Sequence, residues 1–462
     1  MSQAATQASE KVTTLTNLQE PPKVSGLPLL GQSLRLAANP ELALQKMYDQ
    51  YGPVFQFNAS HFNYIVMAGP DANDFVNGEG KHFFTGKKFW GSFVEELNSP
   101  NAIVALDGEN HQKIHRMMKP ALARKIVEEN IPDVVDIVKK AFDQNSPGDE
   151  VPFVYAAQKL SSNIVGKLLM DTIPTDEDLK QLFFYANNLT ILLAVLRLPR
   201  LVLKLRGPRF SRAKAATRDL IERVLARALT QPHSRKLFVD TMVEARQKFP
   251  EIMTDGDVDA SAFIAFFGGI DTLGQTTTFM LWELLRHPEV MERVQGEVDR
   301  IYTAADGVPT ASNLLNDLPL CHAVFAEALR LHPTGFGIVR NAAEEFEFKG
   351  HRIPKGRDIL IYTTICHRMD EYFPNPLKFD IDRYSPERQE DRQRGVYAPF
   401  GRGPHKCLGA SWADAQAVLM LATILYNFNF ELPPRMVNAT KLMRTTPTLG
   451  HKFRIRYLGR RN

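Results

Sequence analysis

The sequence is short of cysteine, of net charge and of long apolar runs, and each shortage excludes a class of protein. Three cysteines among 462 residues are too few and odd in number for a disulfide framework, and none has zinc-finger spacing. The 56 basic residues nearly balance 52 acidic ones, so no global basic field favours nucleic acid. The longest apolar runs, such as residues 418–425, fall far below the roughly 20 residues that span a bilayer. We therefore expect a cytoplasmic protein with no transmembrane anchor and no nucleic-acid partner.

The composition that remains is that of a large folded protein, with 44% hydrophobic and 23% charged residues. A helix is predicted from Asn39 and Pro40 to Tyr51, followed by a strand pair at residues 54–58 and 64–68. Residues 345–361 and 448–457 are also predicted to be extended, and most of the rest is helical. We predict a flexible tail over residues 1–20 and one domain over residues 21–462, mainly α with a small β region.

A long helix predicted over residues 257–286 contains two adjacent glycines, Gly268 and Gly269, before Asp271 and Thr272. Each glycine costs about 1 kcal/mol relative to alanine in a helix, so close approach of a flat cofactor would account for the pair. The Thr272 hydroxyl can bond back to a helix carbonyl or turn towards a ligand, with a carboxylate beside it. A kinked helix with a self-bonded threonine is the alternative interpretation.

A second predicted helix, ending at Leu331 before His332 and Pro333, carries Glu327 and Arg330 at i, i+3 spacing. Such a pair on a surface contributes well under about 1 kcal/mol. The apolar neighbours from Ala323 to Leu331 instead indicate a buried, structural pair.

The loop at residues 399–409, PFGRGPHKCLG, is followed directly by an apolar helix predicted over residues 410–426. A cysteine at a helix N-terminus is stabilised as thiolate by the helix dipole, and a thiolate is a soft axial ligand for haem iron. The glycines and basic residues before Cys407 favour that interpretation, whereas Cys321 and Cys366 are expected to be small buried side chains.

The spacing of Phe400, Gly403, Cys407 and Gly409 resembles the haem-binding loop of the cytochrome P-450 family of haem-thiolate monooxygenases. The resemblance covers most of the chain and implies a mainly α, triangular-prism-like fold with haem b between the long helix and the Cys407 helix. By the same resemblance, Cys407 ligates iron, Phe400 packs against the loop and His405 meets a haem propionate. Glu327 and Arg330 match the family's Glu-x-x-Arg element. The resemblance adds Arg383 as the third member of a network with this pair.

The resemblance also assigns propionate contacts to His111 and Arg340. The family usually has arginine four residues after the position of His111. Here that position is His115, with Arg116 beside it, so the contact is expected from one of these two residues. Asp271 and Thr272 match the acid-alcohol pair that delivers protons to bound oxygen.

The resemblance implies a monomeric monooxygenase that uses O2 and takes electrons from a separate ferredoxin- or flavodoxin-type donor. Only residues 408–462 follow the ligand, which is too short for a flavin or iron-sulfur domain. A basic cluster can dock such a donor: Arg388, Arg392, Arg394, Arg402 and Lys406. For residues 388–394 the alternative is a solvated mixed-charge loop. A haem-thiolate isomerase or dehydratase, or a non-enzymatic haem sensor, are the competing functions.

Residues 189–205 are mostly apolar but carry Arg197, Arg200 and Lys204 at the spacing of one helix face, with Pro199 between them. This segment is either an ordinary amphipathic helix or a lid that touches an anionic lipid surface and admits a long apolar molecule. An apolar pocket below it is predicted from four residues: Phe263, Phe267, Phe336 and Ile338. We therefore expect a lipophilic substrate such as a fatty acid, terpenoid, retinoid or steroid.

Overall fold

The computed structural model describes residues 18–230, 235–443 and 446–461, so most of the predicted N-terminal tail, residues 1–17, lies outside the described residues. The described residues group into two compact units. The first contains residues 18–89, 335–376 and 391–406, and the second contains the described parts of 90–334, 377–390 and 407–461. The single domain over residues 21–462 stays a prediction.

The first unit is built on a five-stranded sheet. The predicted strand pair is confirmed as antiparallel β1 (Val54–Ala59) and β2 (Phe62–Ala68). The remaining strands of this unit are β3 (Phe84–Thr85), β5 (Ile338–Ala342), β8 (Asp358–Tyr362) and the separate hairpin β6 (Phe346–Phe348) with β7 (His351–Ile353). The sheet order is β1-β2-β8-β5-β3, in which β8 runs parallel to β2 and the other pairings are antiparallel.

Both faces of this sheet are covered by apolar side chains, because successive residues of a strand point to opposite sides. Phe55, Phe57 and Val66 lie in one buried cluster, whereas Ile65 and Met67 lie in another. Three helices belong to the unit: α1 (Ser33–Ala38), α2 (Pro40–Tyr51) and α3 (Pro70–Asn77). Helix α2 begins where the sequence predicts, since the Asn39 side chain accepts a 3.0 Å hydrogen bond from the amide of Leu42.

The second unit is mainly helical. Its helices are α4 (Lys87–Glu96, whose first residues lie in the first unit), α5 (Gly108–Met118), α6 (Arg124–Glu128), α7 (Ile131–Lys140), α8 (Phe153–Met170), α9 (Asp176–Leu189), α10 (Gly207–Thr230), α11 (Phe238–Lys248), α12 (Asp255–Arg286), α13 (Pro288–Ala304), α14 (Pro319–Leu331) and α15 (Ala410–Asn427). Small sheets add β4 (Glu150–Val151), β9 (Phe428–Glu431), β10 (Leu442–Met443), β11 (Pro447–Thr448) and β12 (Ile455–Arg460). In the described residues, no helix is both apolar and long enough to cross a bilayer.

Helix α12 is the centre of the second unit and packs against α8, α14 and α15. It has 32 residues and begins two residues before the predicted start. The Thr254 hydroxyl accepts from the amide of Asp257 at 3.2 Å, and the Asp257 carboxylate accepts from the amide of Thr254 at 2.8 Å. This reciprocal cap fixes the start of the helix, and the buried side chains along most of its length explain its position in the core.

The segment predicted as a lid is not a regular α-helix. A π-helical turn over Thr190–Val195 continues α9, and a 3-10 helix over Arg200–Arg206 leads into α10. Pro199 separates the two turns because it cannot donate a backbone hydrogen bond. The prediction of a break at Pro199 is confirmed, whereas one continuous basic helix face is not.

Candidate active site

Cys407 differs from the other two cysteines in its exposure. Gly409 is the N-cap of α15, so Cys407 lies at the end of the helix where unpaired amides and the dipole favour negative charge. The Cys407 residue is exposed, whereas Cys321 and Cys366 are buried. Burial raises the pKa of the Cys366 thiol to about 12 and raises the pKa of Cys321 well above its usual value. Of the three, Cys407 is therefore the residue that can offer a thiolate to a bound group.

The loop before Cys407 needs glycine for two physical reasons. Gly401 and Gly403 have φ values of +71° and +81°, which residues with side chains rarely adopt. A Cβ at Gly403 would also lie 2.7 Å from the carbonyl oxygen of Val76 on α3. The loop therefore packs backbone to backbone inside the first unit, with Phe400 and His405 half-buried. The contacts of these two residues with haem stay predictions.

The two glycines of α12 lie where this buried helix has an open face. Gly268 is exposed, and among the described residues no atom outside its chain neighbours and the backbone of its own helix lies within 4 Å of the position that its Cβ would take. Gly269 faces α8 instead, with its Cβ position 3.3 Å from Val165. A side chain at position 268 would fill the open space, so the bare helix face fits a flat group such as haem. Helix α12 packs against α15, the helix that follows Cys407.

Asp271 and Thr272 follow this open face, and each makes its own hydrogen bonds. The Thr272 hydroxyl donates to the carbonyl of Gly268 at 2.6 Å, which is the back-bonded arrangement considered from the sequence. The Asp271 carboxylate is buried, with 6% of its surface exposed. Its Oδ1 accepts from Gln158 Nε2 at 2.7 Å and from Gln275 Nε2 at 3.3 Å, and its Oδ2 accepts from the Thr446 hydroxyl at 2.5 Å.

Gln158 and Thr446 are not among the site residues that the sequence predicts. Gln158 is placed by the close packing of α8 on α12, where a Cβ at Gly274 would lie 2.7 Å from its Cγ and 2.8 Å from its Cα. Glycine at position 274 therefore lets the α8 backbone approach near enough for the Gln158 amide to reach Asp271. The sequence did contain one signal of this approach, because Gly274 is a third glycine in the helix predicted over residues 257–286 and needs a physical reason as the first two do.

Glu327, Arg330 and Arg383 form the buried network that the sequence predicts. Arg330 binds the Glu327 carboxylate through two nitrogens, at 2.7 and 2.8 Å, and Arg383 Nε lies 3.3 Å from Glu327 Oε1. The side chains of all three residues have no exposed surface. Two further members were missed: the Tyr384 hydroxyl donates to Glu327 at 2.9 Å, and Glu390 accepts from Arg383 at 2.8 Å. The network is structural, since it holds residues 378–390 against α14.

The candidate propionate contacts come from both units and are described separately. In the second unit, His111 on α5 is buried, and its ring lies 5.4 Å from that of His115 on the same helix face. Arg116 is exposed and lines a groove with Pro120, Lys236 and Lys248. Of the two residues left open by the sequence, His115 therefore shares the side of His111 and Arg116 does not, because adjacent helical residues point about 100° apart.

In the first unit, Arg340 is a buried arginine on β5, with 8% of its surface exposed. Its Nη1 donates to the carbonyl of Val339 at 2.8 Å. A buried guanidinium keeps its positive charge, so this position suits binding of an anionic group. Its contact with a propionate stays a prediction.

The four residues predicted to line an apolar pocket are divided between the two units. Phe263 and Phe267 stack one turn apart on α12, with ring centroids 6.2 Å apart, and Tyr185 of α9 packs on Phe263. In the first unit, Phe336 and Ile338 pack against different buried clusters of the sheet. A shared pocket stays a prediction.

Three of the five basic residues proposed as a docking face are paired with acids. Arg388 binds Asp380 and Glu390, both at hydrogen-bond distance, within the second unit. In the first unit, Arg394 binds Asp74 at 2.5 Å and Arg392 lies 3.6 Å from Asp391. The Arg402 guanidinium donates to the carbonyl of Tyr397. These partners favour the mixed-charge loop over an uncompensated basic surface.

Comparisons with known proteins agree with this arrangement. The family model for cytochrome P450 matches residues 21–453. The chain is 24% identical over 423 residues to a putative cytochrome P450 120 of Synechocystis sp., covering 91% of this chain and 93% of that protein. It is 34% identical over 229 residues to sterol 14alpha-demethylase of Mycolicibacterium vanbaalenii, a match that covers 48% of this chain and only 50% of that enzyme.

The fold is also found in a solved structure. Retinoic acid-bound cyanobacterial CYP120A1 superposes with a TM-score of 0.82 at 23% identity, covering 96% of this chain and all of that one. The predicted mainly α fold with a small β region is thereby confirmed. The family match, the glycine-rich loop before an exposed cysteine, and the buried Glu-x-x-Arg network lead to one conclusion: the chain belongs to the cytochrome P450 family of haem monooxygenases, as its sequence predicts.

Proposed function

We propose that this member of the family inserts one oxygen atom of O2 into a lipophilic substrate, with haem b held through the Cys407 thiolate. When bound, the haem supplies the oxygen chemistry, and a thiolate ligand favours O–O cleavage. The residues of the chain hold and orient the group: His111, His115, Arg340 and His405 are proposed to bind its propionates. Asp271 and Thr272 are proposed to hold and deliver protons at the open face of α12.

The observation that carries this proposal is the position of an acid and a hydroxyl beside Gly268. Helix α12 is buried along most of its length and open at Gly268, one turn before Thr272. The Thr272 hydroxyl donates to the Gly268 carbonyl at that open point, and a rotation of the side chain would turn it towards a bound ligand. Asp271 is the residue before Thr272, and its buried carboxylate is held in place by hydrogen bonds from three neutral donors. These positions support the proposal that Thr272 and Asp271 deliver protons at the open face of α12.

Replacement of Thr272 by alanine is expected to divert electrons from product into hydrogen peroxide. Without the hydroxyl, proton delivery at the open face loses its donor, and such assistance typically contributes about 10² to 10⁴ in rate. The haem content should not change, because the Thr272 side chain bonds only to its own helix among its described contacts. The measurement is the ratio of peroxide formed to product formed per NADPH consumed, with redox partners supplied.

Thr272→Ser is the matched control, since it keeps the hydroxyl and should retain coupling. Equal coupling in the alanine variant and the wild type would contradict the role of Thr272. An isomerase or dehydratase, which needs no electrons, would turn over its substrate in both variants without NADPH consumption.

A lipophilic substrate is supported by the exposed apolar side chains of residues 189–205. Leu201 and Leu205 are 66% and 82% exposed, and Ile191, Val195 and Leu196 are also exposed. The Arg200 guanidinium forms a salt bridge with the Glu96 carboxylate, with an N–O distance of 3.3 Å. This salt bridge holds the segment against α4 and compensates the charge of Arg200. The names of two similar proteins, a retinoic acid-bound structure and a sterol demethylase, agree with the same substrate class.

Replacement of Leu201 or Leu196 by aspartate is expected to weaken the change from low-spin to high-spin ferric haem that lipophilic compounds produce. A charged group in place of an apolar contact worth about 1.5 kcal/mol or more should raise the half-saturating concentration roughly tenfold. The measurement is a spectral titration with fatty acids, terpenoids, retinoids and steroids.

Leu229 provides the control, because it is 67% exposed on α10 and lies outside the segment. Leu229→Asp should titrate like the wild type. Tight spin changes with small polar molecules and none with lipophilic ones would contradict the proposed substrate class.

Family membership implies a redox partner, and we propose that it is a separate ferredoxin- or flavodoxin-type protein. The salt bridges of Arg388, Arg392 and Arg394 with nearby acids reduce the positive charge that these three residues offer to that partner. We further propose a cytoplasmic monomer. The small number of cysteines, three among 462 residues, suits a reducing compartment. Peripheral contact with an anionic lipid surface is part of the same proposal for residues 189–205.

A further inference from the structure

The partners of Asp271 raise the question of how solvent protons reach a buried carboxylate. Each described partner of this side chain is neutral: the amides of Gln158 and Gln275, and the hydroxyl of Thr446. Each donates a hydrogen bond, so together they stabilise the carboxylate in its buried position. These hydrogen bonds hold Asp271 in place, but a donor can also transfer a proton from solvent to the carboxylate only if it can accept a proton itself.

The chemistry of the donors separates Thr446 from the two glutamines. A side-chain amide nitrogen donates its hydrogens but has no basic lone pair that accepts another proton. A hydroxyl is donor and acceptor at once, so it can give its proton to a carboxylate while it takes one from water. Thr446 is half-buried and lies directly before β11, where its hydroxyl contacts Asp271 Oδ2 at 2.5 Å.

We propose that Thr446 is the hydroxyl relay through which solvent protons reach Asp271. A hydronium ion of the solvent gives a proton to Thr446 Oγ1 and leaves as water, while the Oγ1–H bond breaks and its proton passes to Asp271 Oδ2. One proton moves from solvent to the carboxylate, no electron moves, and the threonine ends as it began. The inference rests on the proposed function, because it supplies the proton that Asp271 and Thr272 are proposed to deliver.

The test measures protonation of Asp271 directly in the ferric holoenzyme. After a rapid drop in pH, infrared spectroscopy follows the band of the protonated carboxyl, which is assigned by its loss in Asp271→Asn. In Thr446→Val, which keeps the shape but removes the hydroxyl, the rate of appearance should fall about tenfold or more. Thr446→Ser should restore the rate. An unchanged rate in Thr446→Val would overturn the proposal, and Thr446→Ala provides a second variant if the valine protein does not fold.

Gln158→Met separates a relay from a merely structural hydrogen bond. It also removes a donor to the carboxylate, but no hydroxyl, so the relay predicts a slow rate in Thr446→Val only. Equal slowing in both variants would show that Thr446 only positions Asp271, and would overturn the relay. Peroxide yield distinguishes the two proposals. If Asp271→Asn keeps full coupling, the proposed role of the acid fails. If it uncouples while Thr446→Val protonates normally, the relay alone fails.

Discussion

Replacement of Cys407 by serine is expected to abolish the absorption spectrum that a thiolate-ligated haem gives when it is reduced and bound to carbon monoxide. Cys407 lies at the N-terminal end of α15, and it is the exposed cysteine of the three. A serine hydroxyl is not ionised at neutral pH, so residue 407 could no longer supply the thiolate charge that defines the spectrum. Monooxygenase turnover should be lost with it, and the spectrum of the purified variant checks the expectation.

Cys366→Ala is the matched control for this experiment. Cys366 is buried in the core beside Phe373 and Val396, where burial raises the pKa of its thiol to about 12. Such a thiol stays protonated at neutral pH, so its loss should leave the carbon monoxide spectrum intact. Retention of the thiolate spectrum in Cys407→Ser, with loss in Cys366→Ala, would show that the ligand has been misassigned.

Replacement of Glu327 by glutamine should lower the free energy of unfolding by about 3–5 kcal/mol, because it leaves two buried arginines without their shared carboxylate. Arg330 and Arg383 have no exposed side-chain surface, and both bind Glu327. Glutamine has nearly the same shape as glutamate, so the decrease in the free energy of unfolding reports the lost charge and not a loss of packing. Denaturant unfolding of the holoenzyme gives the value, and a strongly reduced yield of folded haem protein would be the outcome if the variant is too unstable to purify.

The half-exposed salt bridge between Glu345 and Arg352 is a comparison for the effect of burial on the cost of losing a carboxylate. Arg352 Nη2 lies 2.7 Å from Glu345 Oε2, but 28% of the Glu345 side-chain surface and 32% of the Arg352 side-chain surface are exposed. Glu345→Gln should therefore cost less than about 1 kcal/mol. Similar costs for the two substitutions would contradict the interpretation of Glu327 as the centre of a buried network.

Those parts of the fold that depend on local sequence were predicted well. Asn39 with Pro40 starts α2, and Pro333 ends α14 at Leu331, because capping and proline geometry act over a few residues. The family follows from the short loop around Cys407, the Glu327 pair and the glycines of α12, which are all local patterns. The segment over residues 189–205 was harder, since its π and 3-10 turns are set by packing that its apolar composition does not specify.

The partners of the site residues could not be predicted, because they are distant in sequence. Gln158 and Thr446 lie 113 and 175 residues from Asp271, and Tyr384 lies 57 residues from Glu327. No periodicity or spacing joins positions so far apart, and each contact exists only once the helices are packed. The sequence therefore indicated which residues carry the chemistry, whereas the surroundings that hold them required the folded chain.

Gly274 limits the substitutions that α8 and α12 can accept during evolution. A Cβ there would lie 2.8 Å from the Cα of Gln158 and 2.9 Å from its backbone nitrogen, so no other rotamer of Gln158 can relieve the clash. Any descendant that replaces this glycine must move α8 outward and thereby withdraw the Gln158 amide from Asp271. Neutral drift at position 274 is thus blocked by the acid one turn earlier in the helix, and in diverging lineages the residues at 158, 271 and 274 should change as a group or not at all.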